Sequence, residues 1–472
     1  MGEGDPRVVQ GVAVASTYDG NTDTATYTKG EMQPKRCRDP LFAFIFYVQI
    51  AAIVVCAVIY GPHAQESYTI TGTNITTNFI PYLDVAGATG VFAFILSGLM
   101  LFVMMCIANF LIKAALIFEI VLTLAWAIFG FMIGNFLVGI FGVIFFLIGL
   151  CYARAVWSRI PFATANLITG LTAVKANFGV SIIAYFFAIL SFAWFMLWAL
   201  VTVGIYVATT CDDVTGVCTG SPNGGFVFLL FLSFFFTTQV LQNCVHVTVA
   251  GTVGTWWFDP ESASCCCSSA VLGSSFRTLT TSFGSICFGS LLVAILQALR
   301  QMANEARNND NGILICIAEC ILSCLESILE YFNKWAFIYV GLYGYSYLEA
   351  GKNVMTLFQN RGWEAVIADD LVGNVLFLIS VVVGGVTGGV GILLLHVTDW
   401  FPDDTGINSA TAFGFGFIIG LVVTSILMST VASAVNTVIV CFAEGPAEFD
   451  TNHPELSRKM REAWLGAFPD YM

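Results

Sequence analysis

A succession of long apolar runs, at 41–60, 87–110, 112–133, 135–152, 179–208, 223–257, 276–299, 312–345, 371–395 and 409–442, constrains this chain more than any other feature. A helix rising about 1.5 Å per residue needs about 20 apolar residues to cross the hydrocarbon layer, so the runs supply about ten crossings. Inside a bilayer only helices and closed barrels satisfy their own backbone hydrogen bonds, and a barrel would show short alternating segments instead. The expected fold is all-α, a polytopic transmembrane helical bundle with both termini cytoplasmic. Composition agrees: 57% of residues are hydrophobic and 10% charged, mean hydropathy is +0.83, and a soluble domain carries about 25% charged residues.

Three regions follow: a polar, disordered cytoplasmic segment over 1–40, a transmembrane domain over 41–442 and an acidic cytoplasmic tail over 443–472. No cleavable signal peptide is expected, because the first 39 residues hold no early apolar stretch. The motif "KRCRDP" precedes the first span, and its Lys35, Arg36 and Arg38 should stay inside. Counting ten crossings forward places Lys113, Arg154, Arg159, Lys175, Arg277, Lys352, Arg361, Arg458, Lys459 and Arg461 on that same side, with Arg300 and Arg307 outside. The sequon "NIT" at Asn74 falls in the first outside loop, where it can be glycosylated. Cys211 and Cys218 flank an outside loop with a spacing that suits a disulfide, although spacing alone does not exclude two thiols. Cys265, Cys266 and Cys267 form a juxtamembrane cluster suited to palmitoylation and poor as a zinc site.

The run at 312–345 carries Glu319, Glu326, Glu330 and Lys334, which a lipid-facing span would not tolerate. It reads as an interfacial amphipathic helix leading into a short span, and 160–178 as an interfacial helix or a loop. Small residues mark helix contacts, because packing in lipid depends on close backbone approach. Ser285 with Gly289, Gly384 with Gly388 and Gly385 with Gly389 are such pairs, and "FGFGFIIG" at 413–420 is similarly glycine-dense. Polar side chains share these spans: Glu119, Gln239, Gln242, Asn243, His246, Gln297 and Asn436. An ionised carboxylate at the bilayer centre costs about 2.5–3.5 kcal/mol on insertion scales, so such groups should face a bundle interior or a wet cavity.

No HExxH metal pair, GxSxG elbow or phosphate-binding loop is found, and "HVTD" at 396–399 has the wrong spacing for an acyltransferase element. An enzyme, a cofactor and a nucleic-acid partner are not expected. A gradient-driven transporter fits better. A membrane scaffold docking partners through Glu444, Glu448, Asp450 and Glu455 is the first alternative, and a channel the second.

Several segments in order carry a resemblance: "CRDPLFAFIFYVQIAAIVVCAVIYG", "VAGTVGTWWF", "SFGSICFGSLLVAILQALR", "YFNKWAFIYVGLYGYSYLEAGKNVMTLFQNRG" and "NTVIVCFAEGPAEFDTNHPELSRKM". Over nearly its whole length the chain resembles the choline transporter-like family, solute carrier family 44. The resemblance implies ten-span carriers that move choline, in some members ethanolamine, by sodium-independent facilitated transport, with proton exchange as a candidate coupling. The first outside loop, about 61–86, is shorter than in the better-studied branch.

A quaternary ammonium donates no hydrogen bond, so it needs aromatic faces, each worth about 0.5–2 kcal/mol, and its hydroxyl needs one polar partner. Trp126, Trp194, Trp198, Tyr339 and Tyr343 are the candidate cage, and Gln239, Asn243 and Gln297 the candidate hydroxyl partners. Trp256, Trp257 and Trp400 at span ends read as interfacial belt residues. Glu119 and His246 are the candidates for proton coupling. The expected partners are choline or a similar small organic cation and membrane lipid, in the plasma membrane or an organelle.

Overall fold

The computed structural model describes residues 30–65, 80–210, 223–266, 268–309, 313–361, 371–397 and 409–468. Asn74, Cys211, Cys218, Cys267 and Trp400 lie outside them. Among the described residues there is no strand, and the chain is all-helical. The helices are α1 (Pro40–Tyr60), α2 (Ile80–Met132), α3 (Phe136–Val156), α4 (Ile160–Ala176), α5 (Gly179–Thr210), α6 (Gly224–Phe258) and α7 (Ser269–Leu279). They continue with α8 (Phe283–Asn309), α9 (Ile313–Tyr343), α10 (Tyr347–Arg361), α11 (Leu371–Val397), α12 (Ser409–Glu444), α13 (Pro446–Asn452) and α14 (Pro454–Ala467).

Eight described stretches are long and apolar enough to cross a membrane: 40–63, 87–132, 136–176, 179–210, 224–258, 283–304, 371–397 and 409–444. The 87–132 stretch has 46 residues, about 69 Å of helix and more than twice a hydrocarbon layer of about 30 Å. It contains two of the sequence runs, divided at Ile107, where the backbone leaves helical geometry (φ −125°, ψ 26°). No proline or glycine lies within four residues of that break. Helix α9 is not among the eight, in keeping with its four charged side chains. The outward faces carry large apolar side chains such as Phe44, Val58, Phe110, Phe145, Ile189 and Ile418, as helices bathed in lipid should.

The chain divides into two compact units. The first comprises 1–77, 182–255 and 265–356, and thus α1, most of α5 and α6, and α7 to α10. Here α1 and α9 both pack on α8. The small-residue opening of α8 has a direct cause: a Cβ on Gly284 would collide with the carbonyls of Arg38 and Asp39. One on Gly289 would lie 2.5 Å from the Tyr347 ring and 2.7 Å from Phe337. Ser285 Oγ donates to Asp39 Oδ2 at 2.7 Å, and the same oxygen accepts the Tyr347 N–H at 3.1 Å. Asp39 thus ties α1, α8 and α10 together from a left-handed backbone (φ 49°).

The second unit comprises 78–181, 256–264 and 357–472. Its seam is α11 against α12. A Cβ on Gly416 would lie 2.7 Å from the Thr387 carbonyl oxygen, and one on Gly391 2.6 Å from that of Ala412. Gly388 meets Phe413, whereas Gly385 and Gly389 have nothing within 4 Å. Only one of the two interleaved glycine pairs is therefore a packing face, because residues one position apart point about 100° away from each other.

Two expectations need correction in this unit. Segment 160–176 is neither a loop nor an interfacial helix: α4 buries Phe162, Asn166, Leu167, Gly170 and Ala173 around its girth, and Gly170 abuts Val435 of α12. Trp256 and Trp257 are not belt residues. Trp257 is fully buried, stacks on Phe449 at 3.8 Å and donates Nε1–H to the Gly445 carbonyl at 3.0 Å. Trp256 stacks on His453 at 3.9 Å. The acidic tail is folded into α13 and α14, and α14 packs on α4. Asn452 Nδ2 donates to the carbonyls of Trp257 and Phe258, and His453 Nε2 to that of Trp256. These side chains satisfy carbonyls that the end of α6 leaves without intrahelical partners.

Candidate functional site

Polar side chains of the first unit converge from three helices, each with one face spaced i, i+4 or i+7. These are Gln239, Asn243 and His246 on α6, Ser290 and Gln297 on α8, and Glu326, Glu330 and Asn333 on α9. Ser290, Glu326 and Asn333 are buried, Gln239, Asn243, His246 and Gln297 half-buried and Glu330 exposed. Gln239 Nε2 donates to Gln297 Oε1 at 3.4 Å. Gln297 Nε2 donates in turn to Glu326 at 3.0 Å and faces Glu330 at 3.5 Å. Glu326 is buried, and the half-exposed Arg300 holds its other oxygen at 3.0 Å.

One turn further along α6, Asn243 donates to Ser290 Oγ at 3.0 Å, and His246 Nε2 lies 3.0 Å from the Lys334 carbonyl, to which it donates. Asn333 donates to the Gly289 carbonyl at 3.0 Å and accepts the Tyr347 hydroxyl at 2.5 Å. Burial raises the Tyr347 phenol above its ordinary pKa. Toward the other end of α6, Gln49 of α1 uses both amide atoms, accepting from Ser233 Oγ at 2.6 Å and donating to Thr237 at 2.9 Å. The result is a polar ladder inside an apolar bundle.

The residues expected from the sequence divide among several places. Gln239, Asn243 and Gln297 are rungs of the ladder, and His246 is adjacent to them. Tyr339 and Tyr343 are both buried, with ring centroids 5.3 Å apart and Tyr345 6.2 Å from each. Trp198 meets Phe234 at 4.8 Å with the rings tilted 43° and donates Nε1–H to the Leu230 carbonyl. Trp194 is 7% exposed within a cluster of Ile53, Val201, Ile205 and Leu230, and its buried Nε1–H finds no acceptor among the described residues. Trp126 belongs to the second unit and is 56% exposed. Glu119, also in the second unit, accepts from Asn374 Nδ2 at 3.0 Å. Cys265 and Cys266 are exposed thiols.

Sequence reading missed Gln49, Asp39, Ser290, Asn333 and Tyr347, whose residue types are unremarkable at helix ends and in spans. Glu326 had a visible signal, a carboxylate in an apolar run spaced four from Glu330, and it was taken as a sign of an interfacial helix. The cysteines of α9, Cys316, Cys320 and Cys324, lie exposed, while Glu326 turns inward.

Comparison with known proteins places this architecture among transporters. Residues 140–447 match the model of a family described as plasma-membrane choline transporter. Protein PNS1 of Eremothecium gossypii is 30% identical over 464 residues, covering 91% of this chain and 81% of its own length. A CTL-like protein of Dictyostelium discoideum is 28% identical over 457 residues, covering 93% of this chain and 78% of its own. Protein PNS1 of Gibberella zeae is 32% identical over 336 residues, 68% of this chain and 62% of that protein.

Proposed function

The chain belongs to the plasma-membrane choline transporter family, and from that premise we propose that it carries choline or a related small organic cation, ethanolamine included, by sodium-independent facilitated transport. It is a multi-pass membrane protein, and the plasma membrane is the proposed location. The observation that carries this reading is the ladder from Gln239 through Gln297 to the buried Glu326. Interhelical hydrogen bonds in membranes average about 0.6 kcal/mol, a small return for holding a buried carboxylate such as Glu326, and a polar solute that must cross gives the ladder a further role.

In this reading Gln239, Asn243 and Gln297 offer partners to the substrate hydroxyl, Glu326 and Glu330 supply negative charge, and Trp194, Trp198, Tyr339 and Tyr343 supply aromatic faces. Trp126, on an outward face, is the weakest member of the cage. Glu119 and His246 are the proposed proton-coupling groups, each already in a hydrogen bond that a change of charge would disturb. Of the acidic residues the scaffold alternative would dock through, Glu444 is buried, while Asp450 and Glu455 are exposed.

The test is uptake of labelled choline into cells lacking their own carriers, in sodium and sodium-free media, with ethanolamine as competitor and external pH varied. Saturable, sodium-insensitive uptake that Glu326→Gln lowers at least tenfold at equal surface amount is the expected result. Absence of uptake with the protein at the surface would overturn the choline reading.

A further inference from the structure

The first unit holds a second feature that transport of a cation does not use. A cavity of about 100 Å³ is lined by Gln33, Lys35, Arg36, Arg277, Thr281 and Ser282, with Tyr343 and Gly344 at the end of α9. The segment before α1 is fixed as one wall: Gln33 N–H donates to the Tyr343 carbonyl at 2.8 Å, Glu31 N–H to the Tyr345 hydroxyl at 3.1 Å, and Arg38 N–H to the Thr281 carbonyl at 2.9 Å.

Among the described residues three cations line this cavity and no carboxylate does. Lys35 and Arg36 are exposed. Arg277 on α7 is half-buried, and burial lowers its pKa from the ordinary guanidinium value. Its guanidinium makes one hydrogen bond among the described residues, from Nη2 to Ser274 Oγ at 3.2 Å, and no ion pair there. A guanidinium has five N–H donors, so most of its capacity is unspent in a place where desolvation already disfavours the charge. Asp39, the carboxylate next in sequence to Arg38, is committed to Ser285 and Tyr347. Thr281 and Ser282 line the same wall.

We propose that this cavity binds a phosphate-bearing anion, with Arg277 as its inner ligand and Lys35 and Arg36 closing over it. An arginine fork matches phosphate oxygens in pairs, and lysine adds a point charge. The three residues are also ones that the charge pattern puts on the cytoplasmic side, where anionic lipid headgroups and soluble phosphate compounds are both within reach. None of the ladder residues lines it, and of the proposed aromatic cage it shares only Tyr343. Anion binding can thus be measured without transport.

The experiment uses full-length protein purified in a neutral detergent. Binding is followed by thermal shift and by titration with dioctanoyl phosphatidylinositol bisphosphate, inositol trisphosphate and inorganic pyrophosphate, with dioctanoyl phosphatidylcholine as control. The expected result is saturable binding of at least one phosphorylated probe, weakened at least tenfold by Arg277→Gln, and weakened by added salt. If Arg277→Gln does not yield folded protein, Lys35→Gln/Arg36→Gln, on exposed side chains, carries the same expectation. Binding of the lipid alone assigns the site to a headgroup held in the membrane; equal binding of inositol trisphosphate or pyrophosphate assigns it to a soluble phosphate. No phosphorylated probe binding up to millimolar concentration, or affinity unchanged in the folded variants, would overturn the proposal.

Discussion

The first unit is joined across its helices by side-chain hydrogen bonds, and the second, at the seam of α11 and α12, by the absence of side chains. Gln239, Gln297 and Glu326 link α6, α8 and α9 through amide and carboxylate groups. Gly388, Gly391, Gly416 and Gly420 instead let two backbones approach until a single methyl group would collide. In lipid the second device is the economical one, because dispersion contacts require no desolvation. A bundle that can close by glycine packing and nevertheless keeps a polar ladder elsewhere retains that ladder for something other than folding.

The sharpest way to break this contrast is to fill the seam. Gly416→Val puts a branched side chain where a Cβ already lies 2.7 Å from the Thr387 carbonyl oxygen and 3.1 Å from Gly388 Cα. Backbone atoms cannot rotate aside, so the cost should equal or exceed the roughly 1–3 kcal/mol of an overpacked core. The expected outcome is loss of the monodisperse peak in size-exclusion chromatography and a marked drop in melting temperature. Gly385→Ala, with open space around it, should behave as wild type. Equal melting of Gly416→Val and wild type would show that the seam is not a packing device.

The complementary change is Gln297→Leu. It removes the rung that joins Gln239 to Glu326 and Glu330, yet the bonds lost are worth at most about 1.7 kcal/mol each by measured membrane cycles. Melting should fall less than in Gly416→Val, whereas choline uptake per surface molecule should fall at least tenfold. The reverse, strong destabilisation with unchanged turnover, would make the ladder structural and remove the basis for placing a substrate there.

The sequence announces helices plainly because apolarity and length suffice for that, and it announces charged intruders such as Glu326 because lipid penalises them. What it hides is helix rotation. Gly384 and Gly385 begin identical four-residue repeats, yet one faces Phe417 of α12 and the other open space. Lipid and protein interior are equally apolar, so no pattern of hydrophobicity separates them. Trp256 and Trp257 illustrate a second blind spot. An amphipathic ring at a span end suits a membrane interface and a docked helix equally, and only the tail residues Phe449, Asn452 and His453 decide between them. The ladder was partly legible, through Gln239, Asn243 and Gln297. Its partners Ser290 and Asn333 were not, because hydroxyl and amide groups can also satisfy themselves within their own helix.

The smallest effect expected concerns the contact that His453 makes with the end of α6. Burial lowers the imidazole pKa from its ordinary 6.5, partly opposed by the hydrogen bond to the Trp256 carbonyl. Above that ordinary value the ring is neutral whether docked or free, and the contact has its full strength. As pH falls below it, the free ring takes up a proton that the docked ring resists, so the undocked state gains and the contact weakens. Melting temperature should therefore decline between about pH 7.5 and pH 5.5, and the decline should be shallower in His453→Gln, whose side-chain amide can still reach a carbonyl but does not titrate there. Because α14 rests on α4 in the same unit as the glycine seam, the same slope should appear in Gln297→Leu, which alters only the other unit. A slope that vanishes in Gln297→Leu would place the acid-sensitive group in the ladder and remove the separation between the two kinds of packing.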